Sequence, residues 1–582
     1  MISFRGALQL SFITLSLAQP HGTSTLQWGP CNKTEVPSDV PVDCSVLMVP
    51  LDYTEPDSDE KLQLDLVRIP APVKPSKGSI LFDFGGPGGT GRDEIGIKTL
   101  ADELLALTGR QFDLIAFDPR GTHGSKIPIQ CFDNEYDAWS FYLDVIPANS
   151  SDVELGKQWA HASMLANACL KTHNKTGSLI SSAFVARDMM QIVDALGEDG
   201  MLRYWGFSYG TTLGATTAAM FPYRIGRMVL DGVQNPHEYY HAQADFEEFT
   251  DADAEFSAMF TSCVEARENC ALAKGSNKTA AELEQAVWDL LDAVKYNPIP
   301  LRSFILDYTS VKSLLVQGLY DSSSWPGITS ILNAIMTEQY DVVNNAFEAL
   351  MPTTSIDIFK QSQQPQVLAS IHCSDNMVRS KTFDDFVPAI QRLYNTSRII
   401  GDGLIFLYSA CAQWKIEPKE RYTGDFNVKT KNPVLFIGNT FDGLTSLVSA
   451  KNVSSTFEGS ALLTVDGYGH ASLAAPSACT IRTTSAYWAN GTLPSEGKVC
   501  DSAPLYSGIT WEDIIQEVYG NTTAPAKRQA HRVPKFGGPL APSFIPRYLG
   551  NGTSQMRHVD IVIIDSLSPI QSISLLVIFG IS

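Results

Sequence analysis

The chain has 582 residues, 44% hydrophobic and only 18% charged, a composition that suits a folded core and excludes a disordered, solvating chain. Its 43 basic against 63 acidic side chains leave a net charge of −20. Such a charge repels phosphate backbones and anionic membrane surfaces, so nucleic acid is excluded as a partner. The length allows about four domain-sized units, or one large α/β domain with an insertion.

In chain order, residues 1–18 read as a secretory signal peptide. Arg5 supplies the basic start, Ala7–Ala18 is apolar, and Ser16 and Ala18 are the small residues before a cut ahead of Gln19. Two counts agree with an extracellular, secreted glycoprotein. Ten cysteines are present with no CxxC pair, a number suited to an oxidising compartment. Nine N-x-S/T glycosylation sequons occur, at Asn32, Asn149, Asn174, Asn277, Asn395, Asn452, Asn490, Asn521 and Asn551.

Short apolar runs then feed glycine turns. Ser79–Phe84 leads into Gly85-Gly86-Pro87-Gly88-Gly89, Phe112–Phe117 into Asp118-Pro119-Arg120-Gly121, and Leu202–Trp205 into Gly206-Phe207-Ser208-Tyr209-Gly210. Arg227–Leu230, Pro433–Gly438 and Ala461–Val465 are further strands, and Thr211–Met220 is a helix stopped by Phe221-Pro222. Short apolar strands alternating with helices predict a mostly parallel sheet covered on both faces.

The Gly206–Gly210 run has the G-x-S-x-G form. A serine hydroxyl is a poor nucleophile unless it stands on a tight strand-to-helix turn beside a base, and glycines two residues either side permit that turn. The base and its orienting acid are expected in later loops, in the order Ser, Asp, His. Asp442 follows the strand PVLFIG and His470 follows the strand ALLTV, 28 residues on, so Ser208, Asp442 and His470 are the expected catalytic set. The Tyr209 N–H and the loop holding Gly86 and Gly88 are placed to receive an oxyanion. The glycine loop fits neither phosphate-binding pattern. There is no H-E-x-x-H and no ligand cluster, so neither metal nor cofactor is expected.

The GGPGG loop, DPRG, GFSYG, VLDG, D-x-x-T and GYGH together resemble the α/β-hydrolase serine peptidases. More narrowly, they resemble the secreted tripeptidyl and prolyl aminopeptidases of actinobacteria and fungi, with their TAP-like C-terminal region. The likeness spans about residues 25–520. It implies an α/β-hydrolase fold in which Ser208 is nucleophile, Asp442 orienting acid and His470 base, with Thr445 beside the acid. Phe84 stands where proline-specific members carry histidine, which argues against strict proline specificity. His123 and Gly443 replace residues more often glycine and proline.

Ser208 and Asp442 are 234 residues apart, more than the sheet requires. The expected organisation is core 19–235, an inserted helical lid 236–425, core 426–520, and a linker and tail 521–582. Helical periodicity marks Ala242–Met259, Thr279–Tyr296, Ser330–Met351 and Phe383–Tyr394 within the lid. Such a lid would exclude water and limit substrate size. An exopeptidase must also hold the substrate amine, and Glu238, Glu247, Glu248 and Asp375 are the candidate carboxylates. Pairing each cysteine with its near neighbour closes short loops: Cys31–Cys44, Cys131–Cys169, Cys263–Cys270, Cys373–Cys411 and Cys479–Cys500. The tail carries a dibasic Lys527-Arg528, and its last apolar stretch, Ser566–Ser582, is 17 residues long, short for a membrane span. Small residues precede that stretch as in a GPI signal, but the polar spacer is poor.

The expected function is a secreted serine exopeptidase releasing tripeptides or single residues from free N-termini through an acyl-enzyme on Ser208. The alternatives are a secreted carboxylesterase or lipase of the same fold, and a non-catalytic binding protein. The intact Ser/Asp/His set speaks against the last.

Overall fold

The structure is a computed structural model that describes residues 26–32, 36–302, 304–350 and 355–520, with backbone only at 350 and 355–363. The signal peptide, the tail from 521, and with it Asn521 and Asn551, lie outside the described residues.

Ten strands form one sheet: β1 (Gly29–Pro30), β2 (Asp43–Pro50), β3 (Lys61–Ile69), β4 (Ser79–Asp83), β5 (Asp113–Phe117), β6 (Leu202–Phe207), β7 (Ile225–Asp231), β8 (Leu435–Phe441), β9 (Ala461–Tyr468) and β10 (Val499–Asp501). Their spatial order is β1-β2-β3-β5-β4-β6-β7-β8-β9-β10. The pairings β1-β2, β2-β3 and β3-β5 are antiparallel, and every pairing from β5 through β4 to β10 is parallel. The chain therefore has the α/β-hydrolase fold class, a mostly parallel mixed sheet with many helices.

Side-chain alternation sends each strand to two cores. Leu81, Ile115, Tyr204, Leu230 and Phe436 pack on one face with the helices Ser182–Leu196 and Tyr209–Met220. Ile80, Phe82, Trp205, Val229 and Ile437 pack on the other with Lys98–Leu107 and Ala478–Asn490. All five residues of β4 are buried, as expected for a strand covered on both sides. β2 instead exposes Val46 and Met48. The L-Q-L-D-L alternation at 62–66 is the sequence signal for this antiparallel part, which the glycine-turn pattern passes over.

Between β7 and β8 the chain runs through mostly helical structure with a core of its own, including Phe256, Phe260, Trp288, Leu315, Trp325 and Phe386. Of the expected helix Ala242–Met259, only the part from Ala252 is α-helical. Pro236–His241 forms one turn-and-a-half, and a second helix runs Ala252–Ala266. Between them the backbone bonds elsewhere: Glu247 N–H donates to the Glu238 carboxylate at 2.7 Å, and the Glu248 carbonyl accepts from Ser446 N–H at 3.0 Å. Ser330–Met351 is likewise broken between Trp325–Met336 and Tyr340–Leu350, where Glu338 turns left-handed at φ 58°.

Disulfides join Cys31–Cys44, Cys131–Cys169, Cys263–Cys270, Cys373–Cys411 and Cys479–Cys500, in keeping with an extracytoplasmic protein. Among the described residues no helix is long and apolar enough to cross a membrane. The seven sequon asparagines within the described residues are all exposed.

Cys479–Cys500 closes a 21-residue separation between the helix Ala478–Asn490 and β10. Replacing both cysteines with serine is expected to lower unfolding free energy by about 3 kcal/mol, read from the shift in denaturant midpoint.

Candidate active site

Strand β6 ends at Phe207, and Ser208 takes φ 55°, ψ −126° before the helix Tyr209–Met220 begins. Few L-residues adopt such a backbone, and it persists because its surroundings over-determine it. Ser208 N–H donates to the Asp231 carbonyl at 3.1 Å, and its carbonyl accepts from Thr211 N–H at 2.8 Å. The glycine loop after β4 presses on this turn. A Cβ on Gly85 would stand 2.6 Å from the Phe207 carbonyl and 2.8 Å from Ser208 Cβ, so only glycine permits the approach.

Asp442 follows β8 directly and is completely buried. Its Oδ1 accepts from Leu444 N–H at 3.0 Å and Thr445 N–H at 2.8 Å; its Oδ2 accepts from the Thr445 hydroxyl at 2.8 Å and Ala471 N–H at 2.9 Å. His470 Nδ1 lies 3.2 Å from both oxygens and 3.1 Å from Thr445 Oγ1. This network assigns the proton to Nδ1 and leaves Nε2 to the cavity. The loop around the imidazole is held from several sides. His470 N–H donates to the Tyr320 carbonyl at 2.9 Å, the Asn439 amide donates to the Gly469 carbonyl at 2.8 Å, and Ser472 binds Asp231 through N–H and hydroxyl at 2.8 and 2.6 Å. The Ser208 hydroxyl makes no hydrogen bond to His470; in free enzymes such contacts are often long and tighten only with substrate.

Ser208 and His470 line one cavity of about 1060 Å³, together with Phe84, Gly86, Pro87 and Tyr320. Gly88 instead packs against Gln364 and Val367. Of the four expected amine-binding carboxylates, only Glu248 reaches this cavity. Glu238 is turned toward Glu247 N–H and Arg392. Glu247 accepts from the Asn235 and Asn452 amides. Asp375 is buried under the start of the helix Ser182–Leu196, accepting from Ser182 N–H at 3.0 Å and its hydroxyl at 2.6 Å. These three carboxylates are bonded elsewhere and do not line the cavity.

Asp245 and His372, not singled out by the sequence, stand in the cavity wall with Glu248 and Tyr408. Asp245 Oδ2 accepts from Tyr408 OH at 3.2 Å, while Oδ1 is buried with no partner among the described residues. His372 Nε2 is 3.5 Å from Asp245 without forming a hydrogen bond. Glu248 accepts from the Gln234 amide at 3.1 Å. Burial, with the neighbouring acids adding, pushes the Asp245 carboxyl up to about 8 and the Glu248 carboxyl well above its ordinary range. Burial pushes the His372 imidazole down to about 3, so it stays neutral. The available sequence signal was the A-D-F-E-E run, in which the first and last acids are buried and the middle one is half-buried. No group of His, Cys, Asp and Glu among the described residues could hold a metal ion.

Residues 80–324 match the family model of the alpha/beta hydrolase fold, and residues 397–500 match that of TAP-like proteins. The chain is 26% identical over 504 residues to the serine protease Hip1 of Mycobacterium tuberculosis, covering 83% of this chain and 92% of that one. It is 25% identical over 435 residues to the tripeptidyl aminopeptidase of Streptomyces lividans, covering 73% and 77%. It is also 26% identical over 475 residues to carboxylesterase B of M. tuberculosis, covering 78% and 86%. With the sheet topology and the serine turn already in place, these matches make the chain an α/β-hydrolase enzyme with a TAP-like C-terminal region, distantly homologous to the tripeptidyl aminopeptidases and to Hip1.

Proposed function

We propose that the protein is a secreted serine exopeptidase that releases short peptides from free N-termini. The observation that carries this reading is a single cavity holding Ser208 and His470 together with two buried carboxyls, Asp245 and Glu248, the first with one oxygen that has no partner among the described residues. An ester or lipid substrate has no cationic end for such a pair to hold. A substrate ammonium would supply the partner that Asp245 Oδ1 lacks, and paired charges are the form in which burial is tolerated. The cavity volume is at the upper end for small-ligand pockets, which favours a tripeptide over one residue. Five disulfides and a signal-like N-terminus support secretion.

In this scheme His470 Nε2 takes the Ser208 proton as Oγ attacks the scissile carbonyl. Asp442 holds the Nδ1–H and stabilises the imidazolium that forms. Tyr209 N–H and an amide of the Gly86–Gly88 loop would receive the oxyanion. His470 then passes its proton to the leaving amine, and water enters by the reverse steps to free the acyl group. The helical segment between β7 and β8 acts as the lid that closes the far side.

Three outcomes test this reading. Ser208→Ala should be secreted normally and lose essentially all turnover, while Asp442→Asn should leave a small residual rate; full turnover by Ser208→Ala would end the mechanism. N-acetylation should abolish cleavage of a panel of tripeptidyl amides, and Asp245→Asn should raise KM for the free peptides on the order of 10- to 100-fold. Ester turnover without peptide cleavage would instead place the protein with the esterases. Third, because both carboxyls are raised, Asp245 to about 8, the pair holds protons below that pH, and an incoming ammonium must expel one. KM for a free-amine peptide should therefore fall as pH rises toward 7.5, by up to about tenfold per unit. Asp245→Asn should flatten that slope, and a wild-type KM indifferent to pH would remove the pair from amine binding.

A further inference from the structure

Glu255 is a wholly buried carboxyl that the acyl-transfer scheme does not use. It sits on the helix Ala252–Ala266, inside the segment between β7 and β8. Its Oε2 accepts the Gly443 N–H at 2.7 Å, and its Oε1 has no partner among the described residues. Gly443 directly follows Asp442, and the carboxyl also meets the backbone of Gly469, which directly precedes His470. One side chain from the inserted segment thus touches the neighbours of both the acid and the base.

The approach is close enough to restrict sequence on the other side. A Cβ at position 443 would stand 2.8 Å from Glu255 Oε2 and 3.0 Å from Ala252 Cα. Other bonds reinforce the same seam. Leu447 N–H donates to Asp251 at 3.1 Å, and Ser446 donates through N–H to the Glu248 carbonyl and through its hydroxyl to the Glu247 carbonyl. Residues 247–255 therefore grip the loop 443–447 that begins at Asp442. Burial pushes the Glu255 carboxyl well above its ordinary range, and the facing charges of Asp442 and Asp251 add to the effect.

We propose that Glu255 is a positioning residue that fastens the inserted helix to the loops carrying Asp442 and His470, making their alignment depend on how the inserted segment is seated. The inference rests on the reading of Ser208, Asp442 and His470 as the catalytic set. Its force lies in geometry: displacement of a catalytic group by about 1 Å can cost 10²-fold in rate.

The test uses the full-length secreted protein with a free-amine tripeptidyl amide, comparing wild type, Glu255→Gln, Glu255→Ala, Gly443→Ala and Ser208→Ala. Glu255→Ala is expected to lower kcat about 10- to 100-fold with KM within twofold of wild type. Glu255→Gln should keep kcat within about threefold, since an amide oxygen still accepts the Gly443 N–H. The low-field proton resonance of His470 Nδ1–H should survive in Glu255→Gln and broaden or shift in Glu255→Ala. Gly443→Ala attacks the contact from the loop side and should reproduce the kcat-selective loss, which keeps the test decisive if Glu255→Ala is not secreted. Wild-type kcat and an unmoved resonance in Glu255→Ala would overturn the proposal. So would equal losses in Glu255→Ala and Glu255→Gln that track lost thermal stability. Turnover retained by Ser208→Ala would defeat the underlying serine reading, whatever the Glu255 variants do.

Discussion

The site depends on one carboxylate that is fully paired where water cannot reach it. Asp442 is completely buried, and a buried polar group without partners is costly. Four protein donors besides the imidazole answer that cost: two backbone N–H groups from its own loop, the Thr445 hydroxyl, and Ala471 N–H from the histidine loop. The same bonds that satisfy the carboxylate also set the shape. Ala471 N–H fixes the His470 loop against Asp442, and the two Nδ1 contacts fix the ring, so electrostatics and alignment have a single origin.

From that carboxylate the constraints run outward through the sheet. Asp231 at the end of β7 receives Ser472, two residues beyond the histidine, while its carbonyl receives the N–H of Ser208. One residue thus gauges the separation of nucleophile loop and base loop. The cavity they face is acidic in a different manner. Burial and the neighbouring acids raise Asp245 and Glu248, and Asp245 keeps one oxygen without a partner among the described residues, whereas Asp442 has a full set. Two kinds of buried acid thus stand near one another, one with every oxygen paired and one with an oxygen left over.

Six strands of the parallel part were legible because each ends in a glycine or acid-bearing loop with its own motif, whereas the three-residue β10 offers no such run. Asp442 and His470 were legible for the same reason: each follows an apolar run at the strand end where the chemistry needs it. The antiparallel strands were harder, since β2 and β3 announce themselves only by alternation, and Val46 and Met48 break the usual rule by pointing apolar side chains outward. In the inserted segment the acids resisted reading altogether. Glu238, Glu247 and Asp375 look the same in sequence as Asp245 and Glu248, and which of them faces the cavity is decided by tertiary hydrogen bonds such as Ser182 to Asp375. Glu255 was hidden because its partner is a backbone N–H 188 residues away.

The position of the insertion also sets a timetable. Ser208 is made before it, and Asp442 and His470 after it, so a growing chain carries a nucleophile with neither acid nor base until β8 and β9 have emerged. Disulfide Cys479–Cys500 then ties the helix just beyond His470 to the last strand of the sheet, and such a bond forms only where thiols are oxidised. The parts that meet in the cavity are therefore complete only once the last strands of the sheet have been made.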